Sequence, residues 1–124
     1  MKRLPDTELE VMKALWQSGP DTPRAALEEA LSGHNWASNT VNTYLSRLSD
    51  KGFVSCKKQG KANLYTPLVS QEDYLSFESK NIFRLLYGGS PKNFVAALVK
   101  DGLSHREVDE LRSLLDELSG GKQA

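Results

Sequence analysis

One stretch constrains this chain more than any other: Trp36 to Gly52, W-A-S-N-T-V-N-T-Y-L-S-R-L-S-D-K-G. Val41, Leu45 and Leu48 fall at i, i+4, i+7 with Tyr44 beside them, so one stripe of a helix is apolar and faces a core. The opposite stripe carries Asn39, Asn42, Thr43 and Ser46, with Thr40 and Arg47 on its flanks. A solvated helix face usually carries Glu and Lys, which form helix well and keep a surface soluble. Asn, Thr, Ser and Arg are instead the side chains by which a helix reaches base edges and phosphates in a DNA major groove. Taken alone, the stretch fits a DNA-reading helix and a merely polar surface helix equally well.

The residues after Gly52 tip the balance. The period changes from 3.6 to extended structure: Phe53 to Lys58 reads as a strand, Gln59 to Ala62 as a turn, and Asn63 to Leu68 as a second strand that Pro67 terminates. The hairpin tip holds Lys57, Lys58 and Lys61, and Gly60 lets the backbone approach a phosphate closely. Lysines also protect edge strands from aggregation, but that need accounts for one or two of them more easily than for three at a tip.

Two helices, the second of them shorter, precede this pair. Thr7-Glu8-Leu9-Glu10 reads as a capping box, and Leu9, Met12 and Trp16 give the first helix its apolar face, with Ser18-Gly19-Pro20 as its stop. Thr22-Pro23 restarts helix, Thr as N-cap and Pro at the first helical position, with Leu27, Ala30 and Leu31 on the buried side. A short strand is expected around Pro20 to Thr22. Three helices and a basic-tipped hairpin make a winged helix-turn-helix over residues 1–69. The expected fold class is therefore mainly α with a small antiparallel β wing.

Residues 70–124 read as a helical module for self-association. Ser70 caps a helix over Gln71 to Tyr87, Gly88-Gly89 ends it, Ser90-Pro91 starts the next, and Ser104-His105-Arg106-Glu107 is a second capping box that opens the last. Three helices of this length make a small core by themselves. Interlocking with a second copy is the economical solution, and Tyr74, Phe77, Phe83, Leu86, Phe94, Leu98, Leu111, Leu115 and Leu118 are the residues expected to build a homodimer. A homodimer would also supply the second DNA half-site. The alternative is an ordinary helical subdomain.

Charge supports this division of labour. The formal net charge is zero, so an affinity for nucleic acid must come from local asymmetry. Residues 37–69 carry five basic side chains against one acidic, whereas residues 71–124 carry seven against nine.

These residues also carry a family resemblance. W-x-S-x-T-V-N-T-Y-L-S-R-L-x-x-K-G, then Y-x-P-L-V-S, E-S-K, L-Y-G-G-S, P-K-N-F and L-S-x-x-E-x-x-E-L are similar to the motifs of the penicillinase repressor family (the BlaI/MecI/CopY group), over nearly the whole chain. The resemblance implies a dimeric winged-helix repressor that binds a palindromic double-stranded DNA operator. In the beta-lactam branch it also implies a membrane sensor whose signal leads to proteolysis at an Asn–Phe bond in the dimerisation region, which Asn93-Phe94 matches by position. The copper branch bears a C-terminal cysteine cluster. This chain has Cys56 alone, which argues against that branch.

Other chemistry finds little support. Cys56 is expected to be a small buried hydrophobe in the wing, a redox role being the alternative. A lone cysteine suits a reducing cytoplasm, and no apolar run could span a membrane. His34 and His105 are isolated, so no metal site and no cofactor is expected, and no catalytic constellation is present. The remaining alternatives are a winged-helix module that binds protein and a repressor controlled by another signal, redox or ligand.

Overall fold

The computed structural model describes residues 1–122. The elements run α1 (Asp6–Ser18), β1 (Thr22–Pro23), α2 (Arg24–Ala30), one 3-10 turn (Ser32–His34), α3 (Ser38–Asp50), β2 (Val54–Gln59), β3 (Ala62–Pro67), α4 (Gln71–Tyr87), α5 (Pro91–Gly102) and α6 (His105–Lys122). They form two compact units, Met1–Glu78 and a second beginning at Ser79, so α4 contributes residues to both. The fold is that of a winged helix-turn-helix, mainly α with a small antiparallel sheet. No helix among the described residues is long and apolar enough to cross a membrane.

The first unit is built on one apolar cluster. Val11, Met12 and Leu15 of α1, Leu27 of α2, Val41, Leu45 and Leu48 of α3, and Phe53 and Val54 at the base of β2 are all buried. Burial of a side chain of this size contributes about 1.5–3 kcal/mol. The positions expected from the period of α3 are thus the ones that attach it to the core. The sheet has the order β1-β3-β2, with Thr22 opposite Tyr65 and Cys56 opposite Tyr65 from the other side. β2 is therefore an edge strand, and only Val54 at its start is buried.

That geometry corrects the expectation for Cys56, which is exposed. The strand leaves the core after its first residues, so a mid-strand position has nothing to be buried against. Two helix starts also differ from expectation. α1 begins at Asp6 because the Pro5 carbonyl accepts from the Leu9 amide at 2.9 Å, which puts Thr7 inside the first turn, where it makes no capping bond. Thr22 is paired in the sheet instead of capping α2, so Pro23 takes the N-cap position and Arg24 starts the helix.

The first turns of α4 complete the first unit. Tyr74 is fully buried, its ring 5.8 Å from Phe53 and 6.0 Å from Trp16, and its hydroxyl accepts from the Leu4 amide at 2.8 Å. Phe77 packs beside it at 6.2 Å, half-buried. Tyr74, expected to build a dimer, is thus enclosed by the first unit and has no surface to offer a partner. Periodicity identified its apolar stripe but could not say which neighbour the stripe faces.

The second unit is organised around Phe94, which meets Phe83 edge-on at 5.9 Å and Tyr87 at 5.0 Å. Its helix starts agree with the sequence. Ser90 Oγ accepts from the Asn93 amide, while Ser104 and Glu107 exchange side-chain-to-amide bonds at 3.2 and 3.0 Å in a reciprocal capping box. No described residue of this unit is buried, and Leu85 and Leu86 are 70% and 72% exposed.

Candidate nucleic-acid interface

The exposed side of α3 lies opposite Val41, Leu45 and Leu48, which fix its rotation against the core. Asn39, Asn42, Thr43, Ser46 and Arg47 are all exposed and Thr40 is half-buried. These are the residues expected to face DNA. Along most of the helix they present amide and hydroxyl groups with no carboxylate, a surface able to donate and accept hydrogen bonds without repelling phosphate. Asp50, at the C-terminal end, brings the first negative charge. The Thr43 hydroxyl donates to the Asn39 carbonyl at 2.8 Å, one turn back.

Both ends of α3 are held. At its start no side chain caps the first turn, because Ala37 occupies the N-cap, so the helix presents open amides and the positive end of its dipole. Trp36 lies just ahead, stacked on His34 at 4.4 Å and edge-on to Tyr44 at 5.2 Å. At the other end Lys51 pairs with Glu8 of α1, a carboxylate only 2% exposed. A buried carboxylate without its cation would be strongly unfavourable, so this pair ties the C-terminal end of α3 to α1. Periodicity had no means of revealing it, since Glu8 looks like any first-turn acid.

The wing flanks the helix. A hollow of ≈ 250 Å³ is lined by Asn42, Ser46, Ser49 and Asp50 of α3 together with Cys56 and Tyr65 of the sheet. Burial pushes the Tyr65 hydroxyl pKa up, and the neighbouring Cys56 adds to the effect. Side chains alternate along a strand, so Lys58 shares the Cys56 face of β2 and Lys57 takes the other. Lys57, Lys58 and Lys61 are exposed, and Gly60 at the tip has φ 63°, a conformation that favours glycine. One side of the helix face and the sheet residues Cys56 and Tyr65 border a single hollow.

The pair expected to be cut lies elsewhere. Asn93 is exposed in the first turn of α5, and Phe94 is half-buried between Phe83 and Tyr87. The Phe94 amide donates to the Ser90 carbonyl at 3.2 Å, so the backbone at this bond is helical.

The chain has counterparts among known proteins. Residues 4–117 match the family model described as penicillinase repressor. The chain belongs to this family. Penicillinase repressor relatives are transcriptional repressors and not enzymes. The penicillinase repressor of Bacillus licheniformis is 32% identical over 99% of both chains. The methicillin resistance regulatory protein MecI of Staphylococcus aureus (strain N315) is 33% identical over 89% of this chain and 90% of its own. Among solved structures, the DNA binding domain of the repressor BlaI superposes with a TM-score of 0.52 at 35% identity, covering 60% of this chain and 94% of that one. A MarR family protein from Bacillus stearothermophilus shares the fold at 14% identity and a TM-score of 0.52, covering 99% of this chain and 78% of its own.

Proposed function

We propose that this penicillinase repressor family member binds a two-fold symmetric DNA operator as a homodimer and represses transcription by occluding a promoter. The observation that carries the reading is the exposed, uncharged polar face of α3 from Asn39 to Ser46, rigidly mounted on the core and flanked by a basic wing. Asn39, Thr40, Asn42, Thr43, Ser46 and Arg47 face the bases of the groove and its edge. Lys57, Lys58 and Lys61, with the backbone of Gly60, contribute a sequence-independent phosphate contact. The DNA binding domain of BlaI, whose fold and 35% identity it shares, supports this assignment.

Self-association rests on the second unit. Leu85, Leu86, Leu98, Leu114, Leu115 and Leu118 are all exposed, and Phe83, Phe94 and Leu111 are half-buried. Apolar side chains at such density are unfavourable in water and are usually covered by a partner. A second copy of the chain would cover them and place two α3 helices for two half-sites. Relief of repression occurs, in this reading, by proteolysis between Asn93 and Phe94 under a membrane sensor's control, as family resemblance implies. Separation of α5 and α6 from the rest would then weaken the dimer.

The test is a titration with cognate and random duplexes at two salt concentrations. Thr43→Ala should weaken cognate binding selectively, and Lys58→Ala should weaken both and reduce the salt dependence. Identical effects of the two substitutions on both duplexes would remove the division of labour. Absence of any salt-dependent binding would leave a protein-binding module. Unimpaired induction in a Phe94 variant that resists cutting would overturn the proteolytic step.

A further inference from the structure

The interface has a flank that the wing does not cover. At 3.6 residues per turn, Asn42 and Ser49 fall on one side of the exposed face of α3, and Arg47 and Lys51 fall on the other. The wing borders the first side, through the hollow that Cys56 and Tyr65 share with Asn42, Ser46, Ser49 and Asp50. The second side is bordered by the start of the chain: Met1 and Lys2 line a hollow of ≈ 560 Å³ together with Arg47, Asp50 and Lys51. Asp50 lines both hollows, as expected of a residue on the ridge between them.

This N-terminal stub is not loosely attached. Leu4 is 3% exposed, its amide donates to the Tyr74 hydroxyl at 2.8 Å, and Arg3 Nε lies 2.7 Å from Glu78 Oε1. Two residues of α4 thus hold positions 3 and 4, and position 2 emerges beside α3. The charges of this flank largely cancel: Lys51 is neutralised by Glu8, Arg3 by Glu78, and Asp50 opposes Arg47. Lys2 is exposed and has no carboxylate partner among the described residues, so with the Met1 amino group it leaves this flank net positive.

A helix lying in the major groove, roughly 12 Å wide, runs between two phosphate backbones. The wing borders only one side of α3 and so faces, on this reading, only one of them. We propose that Lys2, which adjoins the Arg3 and Leu4 anchored by Glu78 and Tyr74, contacts the second DNA backbone on the flank of α3 opposite the wing. The inference rests on the reading of α3 as a groove-binding helix. It assigns a phosphate contact to a segment outside both the helix and the wing, and makes α4 the element that positions it.

Because a phosphate contact is independent of sequence, the probe is a random-sequence duplex of about 20 base pairs, measured by fluorescence anisotropy over a range of salt with the full chain. Each neutralised phosphate contributes about 0.9 to the slope of log K against log salt. Lys2→Ala should lower that slope by about one for each protomer bound, and Lys2→Arg should retain it. Lys58→Ala supplies the comparison, since the wing should show a loss of the same kind. A reduced slope for Lys58→Ala with an unchanged slope for Lys2→Ala overturns the Lys2 contact and leaves the wing reading intact. An equal reduction in Lys2→Ala and Lys2→Arg also overturns it, since the charge would then not be the cause. If the unsubstituted chain shows no salt dependence at all, the groove-binding reading fails and takes this inference with it.

Discussion

The two units are stabilised in different ways. The first closes its own core: Val11, Met12, Leu15, Leu45, Leu48 and Tyr74 are at most 1% exposed. The second contains helices as well capped as any in the first, yet none of its described residues is buried and its leucines face outward. Capping fixes where a helix begins, whereas burial decides whether it can persist alone, and among the described residues only the first unit has a buried core. The contrast teaches that one part of this chain is finished as a fold, whereas the other leaves its apolar side chains facing outward.

Substitutions can break or sharpen that contrast. The largest effect is expected at Tyr74, where Ala removes a fully buried ring and should cost about 3–5 kcal/mol. Trp16 and Trp36, the chain's two tryptophans, both lie in the first unit, so tryptophan fluorescence during unfolding reports that unit selectively. A loss under about 1 kcal/mol would contradict the enclosure of Tyr74. Leu86→Glu should do the reverse. It should leave the first unit's fluorescence transition unchanged but weaken self-association by about 100-fold, or about 2.7 kcal/mol, in sedimentation equilibrium. Unaltered association would show that this apolar face is not the contact between copies.

Alkali offers a probe of comparable size at Tyr74, which lies in the first unit. Burial, with the Glu78 carboxylate adding to it, pushes the Tyr74 hydroxyl up to about 12 from the ordinary tyrosine value of 10.0. The folded state therefore holds this proton more tightly than the unfolded chain does. The resulting stability is fully present below pH 10 and is lost as pH rises from about 10 to about 12, by on the order of 2 kcal/mol. Tyr74→Phe should abolish that part of the pH dependence, and a titration of equal steepness in the variant would assign it elsewhere. The smallest effect is expected for Ser104→Ala, which removes one half of a capping box at an exposed helix start. About 1 kcal/mol should be lost from the helicity of the second unit, read by far-ultraviolet circular dichroism, with the tryptophan signal unmoved.

Much of this was legible in the sequence for physical reasons. Val41, Leu45 and Leu48 marked the buried stripe of α3 because a helix that packs on one side must repeat its apolar residues. Ser70, Ser90 and Ser104 marked helix starts, and each accepts the expected amide hydrogen bond. Thr7 carried the same signal and misled, since Pro5 supplied an earlier start that a local motif cannot anticipate. Tyr74 and Cys56 were misread for a related cause. Periodicity gives the side of an element that is apolar but not what lies against it, and an edge strand can leave the core partway along its length. The Lys51–Glu8 pair and the anchoring of Leu4 join residues distant in the chain, and no pattern of neighbours encodes such contacts.

The hydroxyl of Thr43 has a consequence for molecular grammar. Its proton is directed at the Asn39 carbonyl, which leaves the oxygen's lone pairs facing outward and favours accepting a hydrogen bond over donating one at that point of the exposed face. In a major groove the partners able to offer one are the exocyclic amino groups of adenine and cytosine, while the O6 and N7 edge of guanine only accepts. If α3 reads a groove as proposed, an internal bond of 2.8 Å thus biases a residue of two possible meanings towards one, and the backbone, not the DNA, sets that bias.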